Sequence, residues 1–585
     1  MNVKLYWTRS APTIVACFLL SGFVVWWYFF LNPYLSFSYR EQSQMFLFSH
    51  EYFLQYLKLP GGLTSYASSF LIQFFHYRWL GVMIYLGAFL WFYAVFKWVL
   101  RKFFLFENSF FIAFIPGLLF LPASSHLLFD IADELAVIIA LCGFIALTKL
   151  AQNCFYLILI PLTVTILYIL VGGNVLLVLV LLLTSPRTPF QRKGRMGKVK
   201  LIGVLSLSIL LMVWYLFYLL PFTDACYALA PFRYPDTQFF DFRIIAWLSV
   251  VIIPVIGMLF KNIKTKKKWI FPINIALAVI LLFMVVKYHS PHNENILKMG
   301  FDAENHRWED VIATRKKTSV SPLSCFYTNL ALQKTGQMAE KMFHHDQIGI
   351  PGLFLDSEDH LSCLAKSEWF YQLGLINAAQ HFSYESIIGY SHIKEPNLRN
   401  MNRLLDCAAI RQDSGLVKKY EKILNQTLYF NKSQKNYPSS VTMKDIFVRD
   451  MSVLMTSILE ENSDHQAIFE YLMAYYLLDR NYEQAKNCFD RYFANFSYSH
   501  IPTHYAEFLA LYKRLNNLDD SFYKQYPISI DIRERFDMMD ILVSTRMTKQ
   551  IQKTLENSFK NTYWFYVRFP LVNIQTVKKD EKKIY

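Results

Sequence analysis

The sequence contains none of the short motifs that identify the commonest soluble enzymes. It has no phosphate-binding P-loop, no GxGxxG fingerprint and no GxSxG nucleophile elbow, so nucleotide hydrolysis and serine-hydrolase chemistry have no support. CxxC and HExxH are also missing. The trio His344-His345-Asp346 is not a convincing ligand set, because adjacent residues on a helix point apart. We therefore predict no metal-ligand cluster, and a divalent cation as a cofactor stays open.

Cysteine is scarce as well. The eight cysteines divide into three in apolar stretches and five elsewhere. The three are Cys17, Cys142 and Cys154, and the five are Cys226, Cys325, Cys363, Cys407 and Cys488. An odd, widely scattered set is not the pattern of a disulfide framework. We expect no such framework, although an isolated bridge stays open.

Acidic residues are rare in the first half of the chain only. Up to Lys287 there are 23 Lys and Arg against 9 Asp and Glu, whereas the remainder has 36 basic and 35 acidic residues. The overall net charge of +15 therefore belongs to the apolar half and lies between hydrophobic runs. A nucleic-acid partner would need a folded basic surface, and none is indicated. The expected partner of this half is a lipid bilayer.

Long apolar runs fill residues 1–287, and we predict a polytopic transmembrane domain there. About twenty residues at ~1.5 Å each cover the ~30 Å hydrocarbon core of a bilayer. The first run ends in Trp26-Trp27-Tyr28, an aromatic belt, and no cleavage site follows it, so we interpret it as an uncleaved span. About nine spans fit this length criterion: 11–31, 79–99, 108–123, 134–150, 154–171, 174–185, 201–221, 243–260 and 269–287.

The charges between these spans alternate in sign along the chain. The connections on the side of the N-terminus are strongly basic, above all 187–200 and 261–268, and hold one acid, Glu107. The opposite connections carry most of the acids. The positive-inside rule then puts the N-terminus in the cytoplasm and everything after Lys287 outside. We expect a multi-pass protein of the cell inner membrane with a periplasmic C-terminal domain.

The composition changes after Lys287 to charge-balanced, aromatic-rich helical periodicity with little strand alternation. We predict an all-α chain: a connector over 288–321, a helical, TPR-like extracytoplasmic domain over 322–570 and a basic tail over 571–585. Residues 468–492 resemble one tetratricopeptide repeat, with Leu472 and Tyr476 on the first helix and Ala485 on the second. An irregular helical bundle with an aromatic core is the alternative.

Chemistry is expected at the outer boundary of the membrane domain, where ionisable groups are expensive and often functional. Arg40 and Glu41 follow the first span, and interfacial helices are predicted over 41–77. A second cluster, Asp130, Asp133 and Glu134, directly precedes the fourth predicted span. A Gly-containing outer turn over 171–174 separates two further spans.

This order of features resembles the polytopic GT-C glycosyltransferases, which take sugars from polyprenyl-phosphate carriers. In that family an acid follows the first span, interfacial helices come next, and a further acid lies near the start of a later span. The resemblance covers residues 1–290 and is one of layout. It departs from the family where Glu41 is paired with Arg40, which leaves two roles for Glu41 open, a base or a salt-bridged interfacial residue.

The resemblance implies a role for each candidate residue. Glu41 would be the general base that deprotonates an acceptor hydroxyl, and Asp130 and Asp133 would orient the acceptor or bind a divalent cation. Arg40, Arg233 or Arg243 would hold the carrier phosphate, and Glu134 would help to bind the substrate. Each has a structural alternative: a helix-end pair, a helix cap or an arginine that reaches for head groups.

Over its full length the chain is also similar to a family of Bacteroidetes inner-membrane proteins for which no activity is established. The resemblance is carried by four segments: 39–42 (YREQ), 59–63 (LPGGL), 351–355 (PGLFL) and 469–476 (FEYLMAYY). It implies architecture and envelope location. We therefore keep two hypotheses, a transferase that uses a polyprenyl-phosphate-linked sugar and a non-catalytic envelope scaffold whose TPR-like domain binds a protein partner. A transporter fits less well, because no charge lies mid-span and the halves do not repeat.

Overall fold

A computed structural model describes most of the chain. The described residues are 3–104, 111–127, 129–150, 156–186, 206, 228–230, 242–259, 267–388, 397–429, 450–544 and 549–569. Every regular element within these ranges is helical, which confirms the predicted all-α class. The chain divides into two compact units, Met1–Ser290 with Asn425–Phe430, and Pro291–Leu424 with Asn431–Tyr585. Arg233, the basic connection 187–200, the predicted span 201–221 and the tail 571–585 lie outside the described residues.

The first unit is built from long apolar helices joined by short helical turns. Its elements are Val3–Trp26, Trp27–Leu31, Tyr34–Tyr39, Arg40–Ser43, His50–Leu57, Gly62–Ile72, Gln73–His76, Arg78–Phe103, Ile112–Phe114, Ile115–Ser124, Ile131–Leu150, Tyr156–Val171, Gly172–Asn174, Val175–Thr184, Phe242–Leu259 and Lys267–Lys287. The predicted interfacial region therefore holds three short α-helices and one 3₁₀ turn.

Four helical stretches in the described part are long and apolar enough to cross a membrane: Ile14–Leu31, Arg78–Phe103, Ile131–Leu150 and Leu162–Thr184. Their outward-facing side chains include exposed Phe18, Trp79 and Leu183, as expected where lipid replaces water. These stretches indicate a membrane protein. Shorter apolar helices occur at Ile112–Ser124, Phe242–Ile256 and Ala278–Lys287, and the prediction of nine spans stays a prediction.

The connections of the first unit gather at two ends. At one end, Ser185 Oγ donates to the Phe103 carbonyl over 3.4 Å. At the other end, the Gly61 amide donates to the Tyr168 carbonyl over 3.1 Å, and the Gly173 amide to the Ala228 carbonyl over 2.8 Å. We call this second end the polar end of the unit. The charge alternation predicts that the connections at the polar end all lie on one face of the membrane.

Two glycines make the close approach at the polar end possible. Gly61 and Gly172 have φ of +70° and +56°, the left-handed region that side chains with a Cβ rarely adopt. A Cβ on Gly172 would lie 2.4 Å from the Ala228 carbonyl oxygen. The side chain of Asn174 closes the junction, since its Nδ2 donates to the Leu229 carbonyl over 2.7 Å and its Oδ1 accepts from Trp247 over 2.8 Å.

The second unit consists of shorter helices. They are Pro291–Glu304, Trp308–Arg315, Pro322–Lys334, Met338–Lys341, Met342–His344, Ile350–Gly352, His360–Gln372, Ile376–Ile388, Leu398–Ile410, Ser414–Leu424, Met451–Glu461, Gln466–Asp479, Tyr482–Tyr492, Phe493–Asn495, Thr503–Leu515, Phe522–Gln525, Ile530–Ser544, Lys549–Phe559 and Tyr563–Arg568. Left-handed Arg480 ends Gln466–Asp479 and starts the turn into the next helix. Ala485 on helix Tyr482–Tyr492 is buried, and its small side chain lets a neighbouring helix approach closely.

A buried ionic network also stabilises the second unit. Glu368 is 1% exposed and forms an ion pair with Arg403, whose guanidinium lies 3.7 Å above the Tyr371 ring. Gln372 donates to the other oxygen of Glu368 over 2.8 Å. Burial alone would raise the pKa of Glu368, but the charges of Arg403 and Arg399 bring that pKa below its ordinary value. Glu368 is therefore a compensated buried charge.

Candidate functional site

The first apolar helix changes from α-helical to π-helical winding before Arg40 and Glu41. Trp27–Leu31 and Tyr34–Tyr39 are π-helical, and the Asn32 amide donates back to the Trp27 carbonyl over 3.1 Å. π-Helical turns are rare and occur often at functional sites. Arg40–Ser43 continues directly from the second of them.

Arg40 holds the connection before helix Ile131–Leu150. Its Nη2 donates to the carbonyls of Ser124 and His126 over 2.9 and 3.0 Å, and its Nη1 donates to the Phe129 carbonyl. The guanidinium also lies 5.2 Å from the centre of the Phe129 ring, and Arg40 is only 4% exposed. Both terminal nitrogens are thus occupied by backbone, which makes Arg40 a clamp between two distant parts of the chain.

Asp130 caps the helix that follows this connection. Its Oδ1 accepts from the Ala132 amide over 2.9 Å and from Ser68 Oγ over 2.5 Å. Its Oδ2 accepts from Gln44 Nε2 over 3.2 Å. A carboxylate at a helix N-terminus satisfies amides that have no partner within the helix and interacts favourably with the helix dipole. The contacts support the structural alternative for Asp130 and join three predicted outer segments.

Glu134 lies one turn further into the same helix and is 3% exposed. Within the part of the chain that the structure describes, its carboxyl group forms no hydrogen bond or ion pair. It lies within electrostatic range of the hydroxyl groups of Tyr28 and Tyr85, whose rings stack with centroids 4.0 Å apart. A buried carboxyl without a polar partner is costly, so this position has the character of a binding or reaction site.

Among the residues that the structure describes, further buried polar atoms without a hydrogen-bond partner recur along the segment after the first apolar helix. They are Asn32 Nδ2, Ser36 Oγ, Arg40 Nε and Gln44 Oε1. Their residues recur every fourth position along a segment that is π-helical over Tyr34–Tyr39, α-helical over Arg40–Ser43 and extended at Gln44. The Tyr85 hydroxyl, which faces the Arg40 guanidinium, also lacks a well-formed hydrogen bond. We call these four residues with Tyr85 and Glu134 the polar cluster. Buried polar groups are normally satisfied, so the cluster can accept a polar ligand.

Glu41 points to another side of the same segment. Its Oε1 lies 3.8 Å from His76 Nδ1, and the side chains of Glu41 and His76 are 12% and 49% exposed. The His76 ring stacks on Tyr429 with centroids 4.8 Å apart. The ion-pair partner of Glu41 is thus His76 rather than Arg40. A carboxylate that reaches solvent beside an imidazole has the chemistry of a general base.

The Glu41–His76 pair predicts a pH-dependent contribution to stability. Contact with Glu41 raises the pKa of His76 above its ordinary value, against the opposing effect of burial. Because the folded-state pKa is raised, the pair contributes its full stabilisation below the unfolded pKa of about 6.5. That stabilisation is lost as the pH rises through the folded-state pKa. We expect His76→Phe to lose roughly 0.2–1 kcal/mol at pH 6 and nothing at pH 9. Melting curves of both proteins across this range check it, and an equal loss at every pH would contradict it.

The remaining predicted residues are distributed as follows. Arg243 is buried at the start of Phe242–Leu259, and the neighbouring Phe242 ring lies 4.4 Å from that of Tyr288. The residue after Tyr288 is His289, whose Nδ1 lies 3.2 Å from Asn32 Oδ1. These contacts put Arg243 at the polar end. Asp133 is half-buried on the first turn of Ile131–Leu150. In the described ranges, no three His, Cys, Asp or Glu side chains are grouped to hold a metal ion.

Sequence reasoning missed several residues of the site. His76 ends a predicted aromatic segment, and Gln44, Ser68 and Tyr85 are common residue types without a motif. Their roles depend on contacts between residues 35 to 86 positions apart. The one available signal was the four-residue spacing of the polar residues Asn32, Ser36, Arg40 and Gln44 directly after an apolar span.

Comparison with known proteins identifies the family. Residues 6–570 match the model of a family of unknown function, DUF6057. This match covers nearly the whole chain, so the chain belongs to that family. No curated protein and no solved structure matches the chain.

Proposed function

We propose that this member of the DUF6057 family is a multi-pass inner-membrane transferase that uses a polyprenyl-phosphate-linked sugar at the outer face of the membrane. The observation that carries the proposal is the convergence of the segment after the first apolar helix with the one before Ile131–Leu150. Arg40, Gln44 and Ser68 bind to Ser124–Asp130, one helical turn before the buried carboxyl of Glu134. The GT-C layout calls for this convergence of the predicted interfacial helices with an acid at the start of a later span, while its early acid, Glu41, lies beside His76.

Glu41 and the polar cluster would have different roles in the reaction. Glu41 keeps a carboxylate that reaches solvent and has an imidazole partner, which suits a base that removes the acceptor proton as the sugar–phosphate bond breaks. Both oxygens of Asp130 are engaged, so Asp130 positions the site. The polar cluster would hold the polar part of the donor or acceptor. Arg243 and Arg233 are the arginines proposed for the carrier phosphate, since the terminal nitrogens of Arg40 are occupied.

A deletion strain of the source organism tests the transferase. Without the enzyme, sugar-charged polyprenyl phosphate is not consumed, and we expect its amount to rise severalfold above that in the parent strain. Mass spectrometry of extracted lipids measures the pool, and re-expression of the wild-type chain should restore it. An unchanged pool in a strain that lacks the protein would contradict the proposal.

We propose nine spans, a cytoplasmic N-terminus and a periplasmic second unit. Two sets of contacts support this topology, because the charge alternation assigns Phe103 and Ser185 to one side and Gly61, Gly173 and Ala228 to the other. Green fluorescent protein fused after Tyr585 should be dark when exported through the general secretory pathway, whereas alkaline phosphatase fused there should be active. A fluorescent fusion with inactive phosphatase would reverse the orientation.

The scaffold hypothesis is the second candidate, and it rests on the second unit. The pair Gln466–Asp479 and Tyr482–Tyr492, with Ala485 fully buried, supports a TPR-like array, and such arrays bind protein partners on extended surfaces. Under this hypothesis the lipid pool stays unchanged in the deletion strain, and an envelope complex is lost instead.

A further inference from the structure

A cavity of about 370 Å³ lies in the second unit and takes no part in the proposed transfer reaction. It falls within the ~300–1,000 Å³ range of small-molecule sites. Its walls come from the segment after Met342–His344 and from the last two described helices. The lining residues are Phe343, His345, Asp346, Gln347, Gln552, Glu556, Lys560, Phe565, Tyr566 and Phe569.

One wall of the cavity is aromatic. Phe565 and Phe569 are one helical turn apart, with ring centroids 4.9 Å from each other, and both are partly exposed. Tyr566 packs on buried Phe343 with centroids 5.2 Å apart and is fixed by its hydroxyl, which donates to the Leu478 carbonyl over 3.1 Å. The planes of the Phe565 and Phe569 rings are tilted by 39° to each other, so these partly exposed rings offer two apolar faces against which a ligand can pack.

A second part of the lining is a row of polar side chains. Gln552, Glu556 and Lys560 recur every fourth residue along and just beyond helix Lys549–Phe559, so they share one face. Gln552 Nε2 donates to Glu556 Oε1 over 3.1 Å, and Lys560 Nζ lies 3.5 Å from Asp346 Oδ1. The second oxygen of Glu556 and the amide oxygen of Gln552 remain as adjacent acceptors for hydroxyl groups.

The charge of the cavity restricts the ligand. Asp346 and Glu556 contribute two negative charges and Lys560 one positive charge. Burial, and to a smaller extent the positive charge of nearby Arg315, lowers the pKa of His345 to about 4. This ring is therefore neutral at physiological pH. Among the residues that line the cavity the one cation, Lys560, is paired with Asp346, and an anion would meet the Glu556 carboxylate. Phosphates and carboxylated ligands are therefore disfavoured, and a neutral molecule with one apolar face and several hydroxyl groups fits.

We infer that this cavity binds a neutral saccharide, whose apolar ring face stacks on Phe565 and Phe569 while its hydroxyl groups bond to Gln552 and Glu556. The site belongs to the second unit and does not depend on the proposed transferase. A protein with this site would hold an envelope glycan whether or not it also transfers a sugar.

Saturation-transfer difference NMR on the full-length protein in detergent tests this inference. The probes are glucose, galactose, mannose, rhamnose and N-acetylglucosamine as free sugars, with glucose 6-phosphate as the anionic comparison. We expect signal from at least one neutral sugar and a weaker signal from the phosphate. Phe569→Ala should reduce the sugar signal at least fivefold, and Glu556→Gln should reduce it to a lesser extent.

Lys553→Ala is the matched control, because this exposed residue lies on the same helix outside the cavity lining. Its signal should equal that of the wild type, and the variants at Lys553, Gln552 and Glu556 should keep the wild-type melting temperature. If Phe569→Ala fails to fold, Glu556→Gln and Gln552→Ala decide the matter. Absence of signal from all five sugars, a stronger signal from the phosphate, or a sugar signal that these variants leave unchanged would overturn the inference.

Discussion

Glu41→Gln is expected to abolish consumption of the lipid-linked sugar while the protein still folds and inserts. The substitution keeps the shape of the side chain but removes the negative charge that would accept the acceptor proton. Loss of a general base typically slows a reaction by about 10²–10⁴-fold, so turnover should fall at least about 100-fold. The measurement is the rate at which purified protein in proteoliposomes consumes lipid-linked sugar extracted from the deletion strain.

Glu51→Gln is the control for this experiment, because Glu51 is an exposed acid on the neighbouring helix His50–Leu57. It should turn over at the wild-type rate. A Glu41→Gln protein that works as fast as the Glu51→Gln protein would remove Glu41 from the mechanism. His76→Phe should lower the rate less than Glu41→Gln if His76 only positions the carboxylate.

Glu368→Ala is expected to cost about 3–5 kcal/mol of stability in the second unit. The side chain is 1% exposed, and its removal leaves the Arg403 guanidinium buried without its carboxylate. An uncompensated buried charge costs far more than the pair contributes, because solvation by water cannot replace the lost partner. Pulse proteolysis of the full chain in urea, read from cleavage within 291–424, measures the change.

Glu460→Ala removes the partner of an exposed pair and is the matched control. Glu460 and Arg491 lie 3.3 Å apart with side chains 50% and 60% exposed. Exposed pairs contribute roughly 0–1 kcal/mol, so the urea midpoint should move little. Equal shifts for the two variants would show that burial of Glu368 does not determine the cost.

The parts of the fold that follow from local sequence were predictable. The first apolar helix, the short helices over 41–77 and the turn at Gly172 follow from run length, spacing and glycine. Membrane character follows from the same apolar runs. The paired helices on either side of Arg480 follow from helical periodicity and a short break, as predicted for this segment.

The contacts that define the site were not predictable in the same way. Arg40 and Glu41 are adjacent in sequence and suggested a pair, yet adjacent residues on a helix point apart. Arg40 bonds to Ser124–Phe129, whereas Glu41 lies beside His76. Asp130 and Glu134 have similar sequence contexts, but one is a satisfied helix cap and the other a buried carboxyl in the polar cluster. Such differences depend on tertiary packing, which periodicity does not encode.

Release of free polyprenyl phosphate by the purified wild-type protein tests the central proposal most directly. Proteoliposomes that contain the protein and the lipids extracted from the deletion strain should convert sugar-charged polyprenyl phosphate into the uncharged carrier, with a matching sugar on an acceptor from the envelope extract. Empty liposomes and Glu41→Gln proteoliposomes should leave the charged carrier intact. If folded wild-type protein releases no carrier above the empty liposomes, the transferase proposal is contradicted.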